Sequence, residues 1–374
     1  MAATNRAASA GTLVAAALAL PGVALPGSAR AQTMPDTAFV QFKYLDYRDW
    51  QPGADRMSVR SPSFYALKPL SDSLVVEGSL VYDGMSGASP LYFNTLSGAS
   101  GQGVHDSRAA GDVKLTRYFD GYSVGAGALY SHENDYISRA GTLELRTWTA
   151  DRNRTWAFSF SGAADRIDAE EGAAQDERKY ALDFLVGVTQ AVNPTLIVQS
   201  NLTYSRAHGY LSDPYKLLDN RPDERRIFAW LTRANQFFPE VNGALRVGYR
   251  YLDDSWGADS QMVEASWVQG LPQGWSVTPG VRYLSQDAAW FYYGPPIGNG
   301  FRPGQPYTAD NRLSAFGAIT LGVVVAKTFD EGWVADLRVD FYRQKAAWKL
   351  GGGGTQGVLD FSARWLQVGV GRSF

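Results

Sequence analysis

From residue 32 onward the chain alternates apolar and polar side chains almost without interruption. Val76, Gly78, Leu80 and Tyr82 interleave with Glu77, Ser79 and Val81. Tyr180, Leu182, Phe184, Val186 and Val188 interleave with Ala181, Asp183, Leu185, Gly187 and Thr189. The same step of two recurs at Leu196 to Ser205, Leu245 to Tyr251 and Ala335 to Phe341. Period two is the signature of strands. Short turns carrying Asp, Asn, Gly and Pro fall at residues 70–73, 119–122, 151–154, 191–194, 239–242, 271–274 and 329–332. Longer polar connections fall between them, at residues 48–56, 83–106, 132–136, 166–177, 207–221, 253–258, 287–310 and 344–357. Seven short turns and eight longer connections predict sixteen strands.

A soluble sandwich or propeller shows period two as well. Three features favour a membrane barrel instead. Short and long connections alternate, as they do when one barrel end faces the periplasm and the other the exterior. Aromatics gather at the ends of the apolar stripes, at Tyr82, Tyr130, Trp156, Tyr204, Tyr251, Trp275, Tyr283 and Trp333, as interfacial girdles do. The chain closes on Val368, Val370 and Phe374, resembling the terminal recognition signal of Gram-negative outer-membrane proteins; Arg372 stands where that signal is usually apolar. The expected fold is all-β: a closed antiparallel transmembrane β-barrel of about 16 strands, with short periplasmic turns and long extracellular loops.

The first residues read as an address. One arginine, an alanine-rich apolar run from Ala7 to Leu25 and the small-x-small Ala29-Arg30-Ala31 predict a secretory signal peptide over 1–31. Residues 32–374 then form a single outer-membrane barrel domain. No later stretch approaches the ~20 apolar residues of a membrane helix.

Composition narrows the chemistry. Among 374 residues, 35 Lys+Arg face 37 Asp+Glu, a balance that argues against nucleic acid as a partner. The absence of cysteine excludes disulfides, thiol nucleophiles and thiolate metal sites. Gly84-Met85-Ser86-Gly87-Ala88 and Gly98-Ala99-Ser100-Gly101-Gln102 fall short of a nucleophile elbow, and no histidine is expected in a lipid-facing stripe, so no enzyme and no cofactor is predicted. His105, His132 and His208 all fall at the exterior end by strand parity, with Asp106, Glu133, Asp135 and Asp213 beside them; this is a candidate metal site, set against ordinary solvated loops. The acidic stretch from Asp165 to Glu177 reads as solvated loop, or as a divalent-cation bridge to lipopolysaccharide.

The polar sides of the strands carry Lys43, Glu77, Asp112, Lys114, Asp183, Arg246, Arg250, Glu264, Arg282, Asp336, Arg338 and Asp340. A mid-bilayer Arg or Lys on the lipid face costs about 2–4 kcal/mol, so these residues are expected to line the lumen. Mixed charges serve either of two ends: a water-filled pore that sorts hydrophilic solutes, or a lumen closed by salt bridges. The alternatives to a channel are a non-conducting scaffold that docks a partner at its rim and a metal-binding or redox-accessory surface protein. The arginines at 246, 250, 282 and 338 fall on the eleventh, thirteenth and fifteenth strands, predicting a basic stripe facing Glu77, Asp112 and Asp183. Expected partners are outer-membrane lipid and lipopolysaccharide, the barrel-assembly machinery reading Phe374, and a small hydrophilic solute.

Several loop phrases resemble one bacterial family. These are Ser86-Gly87-Ala88-Ser89-Pro90, Gly209-Tyr210-Leu211-Ser212-Asp213-Pro214-Tyr215-Lys216 followed by Arg221-Pro222, Tyr249-Arg250-Tyr251, and Arg282-Tyr283 followed by Gln286. The family is one of outer-membrane proteins classed as a domain of unknown function. The resemblance spans nearly all of 32–374 and implies fold and location, with no activity attached.

Overall fold

The computed structural model describes residues 34–87, 104–169, 174–216 and 218–374. Sixteen strands follow one another: β1 (Phe39–Gln51), β2 (Ala54–Ser71), β3 (Leu74–Gly87), β4 (Val104–Phe119), β5 (Tyr122–His132), β6 (Tyr136–Trp148), β7 (Arg154–Ile167) and β8 (Glu177–Asn193). The second half continues with β9 (Leu196–Gly209), β10 (Glu224–Phe238), β11 (Gly243–Asp254), β12 (Ser260–Gly270), β13 (Trp275–Gln286), β14 (Phe316–Thr328), β15 (Trp333–Lys345) and β16 (Phe361–Ser373). Each strand pairs antiparallel with its neighbours in sequence, and β1 pairs with β16 from Phe39↔Ser373 to Trp50↔Ser362, closing the ring. Closure leaves no strand edge unpaired, as a hydrocarbon environment requires. Among the described residues no helix is long and apolar enough to cross a membrane.

The two faces of the sheet differ as period two demands. Every strand contributes an exposed large apolar side chain to one face, among them Phe42, Phe64, Leu80, Val113, Leu143, Leu182, Leu202, Val263, Leu321 and Val368; Leu80 is 62% exposed. Such a continuous apolar surface is stable only against lipid. The alternate face, the interior of the closed ring, buries polar groups such as Lys114, Ser138, Ser161 and Asp183. Trp156, Trp275 and Trp333 mark the short-turn end of the outer band, and Tyr82, Tyr130 and Tyr204 mark the other. The molecule is an outer-membrane β-barrel.

Two connections expected to be long are short. β1 runs to Gln51 and β2 starts at Ala54, leaving Pro52 and Gly53 alone at the turn, with Gly53 at a φ of +80°. Only residues 133–135 join β5 to β6. The polar residues read as loop, Arg48, Asp49, Asp55 and Arg56, are strand residues that carry the hairpin beyond the apolar band. Both faces become polar there, and the alternation disappears although the strand continues.

The terminal strand explains its own irregular residue. Arg372 shares the outward face of Val368 and Val370 and is paired with Trp333, over whose ring its guanidinium lies at 5.1 Å. A cation on an interfacial aromatic keeps its head near water, so the arginine is accommodated at the girdle. Phe374 and Ala38 exchange backbone hydrogen bonds of 3.0 Å, which ties the two ends of the barrel domain together.

Candidate functional site

All twelve inward candidates lie on the strand faces opposite the exposed apolar band, and they sort into walls. On β3 to β6, Lys114 is the hub. Its Nζ lies 2.6 Å from Glu77 Oε1, its direct cross-strand partner, and 3.9 Å from Glu144. Arg146 holds the other side of Glu144 at 2.8 Å, and the Tyr65 hydroxyl donates to Glu77 at 2.8 Å. Asp112 accepts from Ser79, and on β8 Asp183 accepts from Ser161 at 3.3 Å. Every carboxylate of this wall has a donor, which is what buried charge requires.

Glycine opens space for the third group, on β15. The Arg338 guanidinium donates to Asp340. A Cβ added at Gly322, the cross-strand partner of Asp340, would stand 2.1 Å from Asp340 Oδ1. One at Gly369, opposite Asp336, would stand 2.3 Å from Asp336 Oδ2. Lys43 lies on that same row, across Gly369 on β1.

The wall of β10 to β13 is composed differently. Arg233, Gly248, Glu264 and Arg282 form one row across four strands. Glu264 takes Arg282 at 3.0 Å and Arg233 at 3.5 Å. Arg250, one inward position nearer the exterior, feels the repulsion of Arg282 and Arg233 and the attraction of Glu264 alone. Arg246 makes no ion pair among the described residues. Among the described residues the buried Nε atoms of Arg233 and Arg250 have no hydrogen-bond partner. Among the described residues, then, Arg233 and Arg282 both pair with Glu264, Arg250 is attracted by it, and Arg246 has no ion pair.

Above the barrel the β9–β10 and β13–β14 loops lock together. Asn220 and Tyr307 exchange backbone hydrogen bonds of 2.8 and 2.7 Å, and Asn220 Nδ2 donates to Gln305 O. Beneath this bridge lies a buried charge cluster. Arg221 reaches Asp219 at 2.7 Å and Asp310 at 2.9 Å. Lys216 lies 3.5 Å from Asp310 and 3.7 Å from Asp213, and Arg312 joins Asp213 at 2.8 Å and also Asp310. Burial raises the Asp310 carboxyl but is outweighed by Arg312, Lys216 and Arg221, which hold it well below the usual carboxylate range. Burial dominates at Lys216 and brings its ammonium down to about 8, against the pull of Asp310 and Asp213. At Asp219 burial also prevails over Arg221 and raises the carboxyl. Trp256, Phe291 and Leu313 form the apolar core beside the cluster, with Arg225 stacked 4.4 Å from the Trp256 ring centroid. The Tyr215 hydroxyl donates to Asp135 of the β5–β6 turn, so the cap spans several strands of the mouth.

Spacing alone did not single out this cluster, because Arg221 and Asp310 are 89 residues apart. The phrase from Gly209 to Lys216 with Arg221 marks half of it. Gln286, from another of the quoted phrases, donates to Arg312 O at 2.9 Å and Ser314 O at 3.1 Å, fixing the base of the second loop.

The histidines are placed otherwise than parity suggested. His132 and His208 are exposed and share the outward faces of Tyr130 and Tyr204, at the exterior ends of β5 and β9. The expectation that no histidine joins an outward stripe is therefore corrected. The side chain of His105 lies outside the described residues. Among the described residues no group of three His, Asp or Glu is placed to hold a metal. Asp213 belongs to the charge cluster, and Asp165, read as solvated loop, is buried with Lys179 at 3.0 Å and Ser138 at 2.6 Å. Glu170 and Glu171 of the same stretch lie outside the described residues.

The family model described as "Protein of unknown function (DUF3570)" matches residues 10–176 and 172–365. No curated protein matches the sequence. Among solved structures, CdiB from Acinetobacter baumannii aligns with a TM-score of 0.52 at 8% identity, over 91% of this chain and 61% of that one. OccAB4 of Acinetobacter baumannii aligns at 0.46 and 10% identity over 92% and 100%. The monoaromatic hydrocarbon channel CymD aligns at 0.47 and 9% over 91% and 89%. At these identities the likeness is one of fold.

Proposed function

Since this chain belongs to the DUF3570 family, whose description carries no activity, we propose from its own residues that it is an outer-membrane channel for small hydrophilic solutes. The observation that supports this most is the charge imbalance of the interior among the described residues: Arg233, Arg246, Arg250 and Arg282 around Glu264 on one wall, against Glu77, Asp112, Glu144 and Asp183 with only Lys114 and Arg146 on the other. Sixteen strands enclose enough width for water. A transverse field across that water orients dipolar solutes and favours anions near the basic wall. A lumen designed only for closure would neutralise its arginines.

Planar-bilayer recording tests the reading. The wild type is expected to conduct, and Arg250→Glu with Arg282→Glu to shift its selectivity towards cations, more strongly at low salt, where screening is weaker. Conductance with unchanged selectivity would remove the arginines from the pathway. The interlocked β9–β10 and β13–β14 loops favour a second reading, a barrel that docks a partner on its cap. A wild type that never conducts would make that the better one.

Export and assembly belong to the same proposal. Residues 1–31 are read as a cleaved signal peptide, and Phe374 as the residue the barrel-assembly machinery recognises. Deleting Phe374 is expected to leave little protein in the outer membrane. Normal surface levels of the truncated chain would show that the signal lies elsewhere.

A further inference from the structure

The outer surface carries a second arginine system, which the channel reading does not use. At the exterior ends of the strands, three pairs of arginines stand directly opposite one another across neighbouring strands: Arg48↔Arg364, Arg166↔Arg178 and Arg206↔Arg226. All six are exposed, and all six share the outward face with the apolar band. Like charges directly opposite destabilise an antiparallel pair, because their side chains leave the sheet about 5 Å apart. A single such pair would pass as accident. Three of them, gathered on β16–β1 and β7–β10, ask for a counter-charge.

Among the described residues the protein supplies only part of it. Glu224 is divided between Arg206 at 3.0 Å and Arg226 at 3.4 Å. Asp46 is divided between Arg48 at 3.4 Å and Arg60 at 3.9 Å. Arg166 takes Asp168 and Asp176. Arg178 and Arg364 have no ion pair among the described residues. The remaining outward positions extend the same two arcs, with Arg343 and Arg60 beside the first and Arg139 beside the second. The outward face of β11 to β14 carries Asp253, Gln261, Ser285 and Gly317 at the corresponding level, and no arginine.

Depth identifies the missing partner. Arg206 is two residues beyond the exposed Tyr204; Arg226 is two before Phe228, Arg178 two before Tyr180 and Arg364 two before Leu366. Two strand residues advance about 6.6 Å, which sets the guanidiniums just outside the apolar band, at headgroup level. A guanidinium fork matches phosphate oxygens in bidentate fashion, and a phosphate between two guanidiniums converts their repulsion into charge-assisted hydrogen bonds. We propose that these two arcs bind phosphorylated lipid headgroups of the outer leaflet, whose acyl chains lie along the apolar stripes beneath. The occupant is the lipid rather than free phosphate because the basic arcs and the apolar stripes are continuous on the same strands. This proposal holds whether or not the lumen conducts.

Native mass spectrometry of the full barrel in detergent, titrated with bis-phosphorylated lipid A, dephosphorylated lipid A or inorganic phosphate, tests it. Saturable binding of the phosphorylated lipid is expected, with dephosphorylated lipid and inorganic phosphate about tenfold weaker or more. Replacing all six paired arginines with Gln should weaken lipid binding by a similar factor, while the interior variant Arg250→Gln leaves it unchanged. Should the sixfold variant lose its heat-modifiable migration and hence its fold, the three double variants are read instead, each losing about two- to threefold. Equal binding of phosphorylated and dephosphorylated lipid, or undiminished binding in the folded arginine variants, would overturn the proposal. Inorganic phosphate binding as tightly as the lipid would overturn the choice of occupant.

Discussion

Lys114 is clamped between Glu77 and Glu144, whereas across the barrel Glu264 is shared among guanidiniums that outnumber it. Both walls are built from charged residues on the inward face of antiparallel strands, and period two alone makes them look alike. The difference lies in the cross-strand register. On β3–β4 the register sets Glu77 opposite Lys114. On β11 it sets Arg250 between Leu231 and Met262, and Arg246 between Asn235 and Ser266, with no acid among these direct cross-strand neighbours. Neutralised charge serves rigidity; unneutralised charge in a wide barrel creates a field.

Mutation separates the two roles most sharply at the hubs. Lys114→Met removes the cation from the buried Glu144 and the half-buried Glu77, and breaking such a network costs about 3–5 kcal/mol. Arg250→Met relieves like-charge repulsion and should change stability by less than about 1 kcal/mol. The temperature at which the folded band disappears in heat-modifiability gels measures both. Equal losses at the two positions would mean that the basic wall is structural after all.

Glu264→Gln sharpens the same contrast. It leaves Arg233 and Arg282 without their shared carboxylate, which is expected to cost about 1–3 kcal/mol. The wall gains one net positive charge, so the anion preference in bilayer recordings should rise about twofold at low salt. A fall in anion preference would show that Glu264 is the group the solute meets.

The barrel was legible because lipid enforces alternation on every strand, so sixteen weak signals agreed in phase. What escaped were the places where that constraint lapses. Beyond the bilayer both faces of β1 and β2 are polar, so Asp49 and Arg56 read as loop although they are strand. The cap was opaque for another reason: Asp310 and Arg312 find Lys216, Arg221 and Asp213 only after the two loops have met, and charge partners so far apart leave no spacing to read. Arg372 looked like a fault in the terminal pattern until Trp333 supplied its ring. For the interior residues, parity gives the face but not the partner, and it is the partner that decides between neutral wall and field.

Glycine placement offers a smaller test on the third inward group. Gly322→Ala forces a Cβ towards Asp340 Oδ1, so the carboxylate must turn away from its place beside Arg338. A loss of about 1–3 kcal/mol is expected, typical of overpacking. The same change at Gly351, whose Cβ would meet nothing within 4 Å, costs only the strain of its φ of +75°. Similar thermal shifts for the two would mean that backbone conformation, not the carboxylate, governs both.

The smallest effect concerns the cap and its pH response. Lys216 is brought down to about 8 by burial, from an ordinary value of 10.5. Just above pH 8 the opened loop binds the lysine proton and the closed cap loses it, so closure becomes more favourable from about pH 8 to 9. Nearer pH 10 the hydroxyls of Tyr210 and Tyr292, raised by burial in the closed cap, oppose that trend. Counting ion pairs alone suggests the reverse, since deprotonation removes the attraction to Asp310. The carboxylate contributes no slope in this range, because its titration lies far below. Hydrogen exchange of residues 210–216 should therefore slow relative to intrinsic rates between pH 8 and 9, and Lys216→Met should abolish that slope. Faster relative exchange on raising the pH would mean that the Lys216–Asp310 pair holds the cap shut and that its attraction outweighs the cost of burying the ammonium.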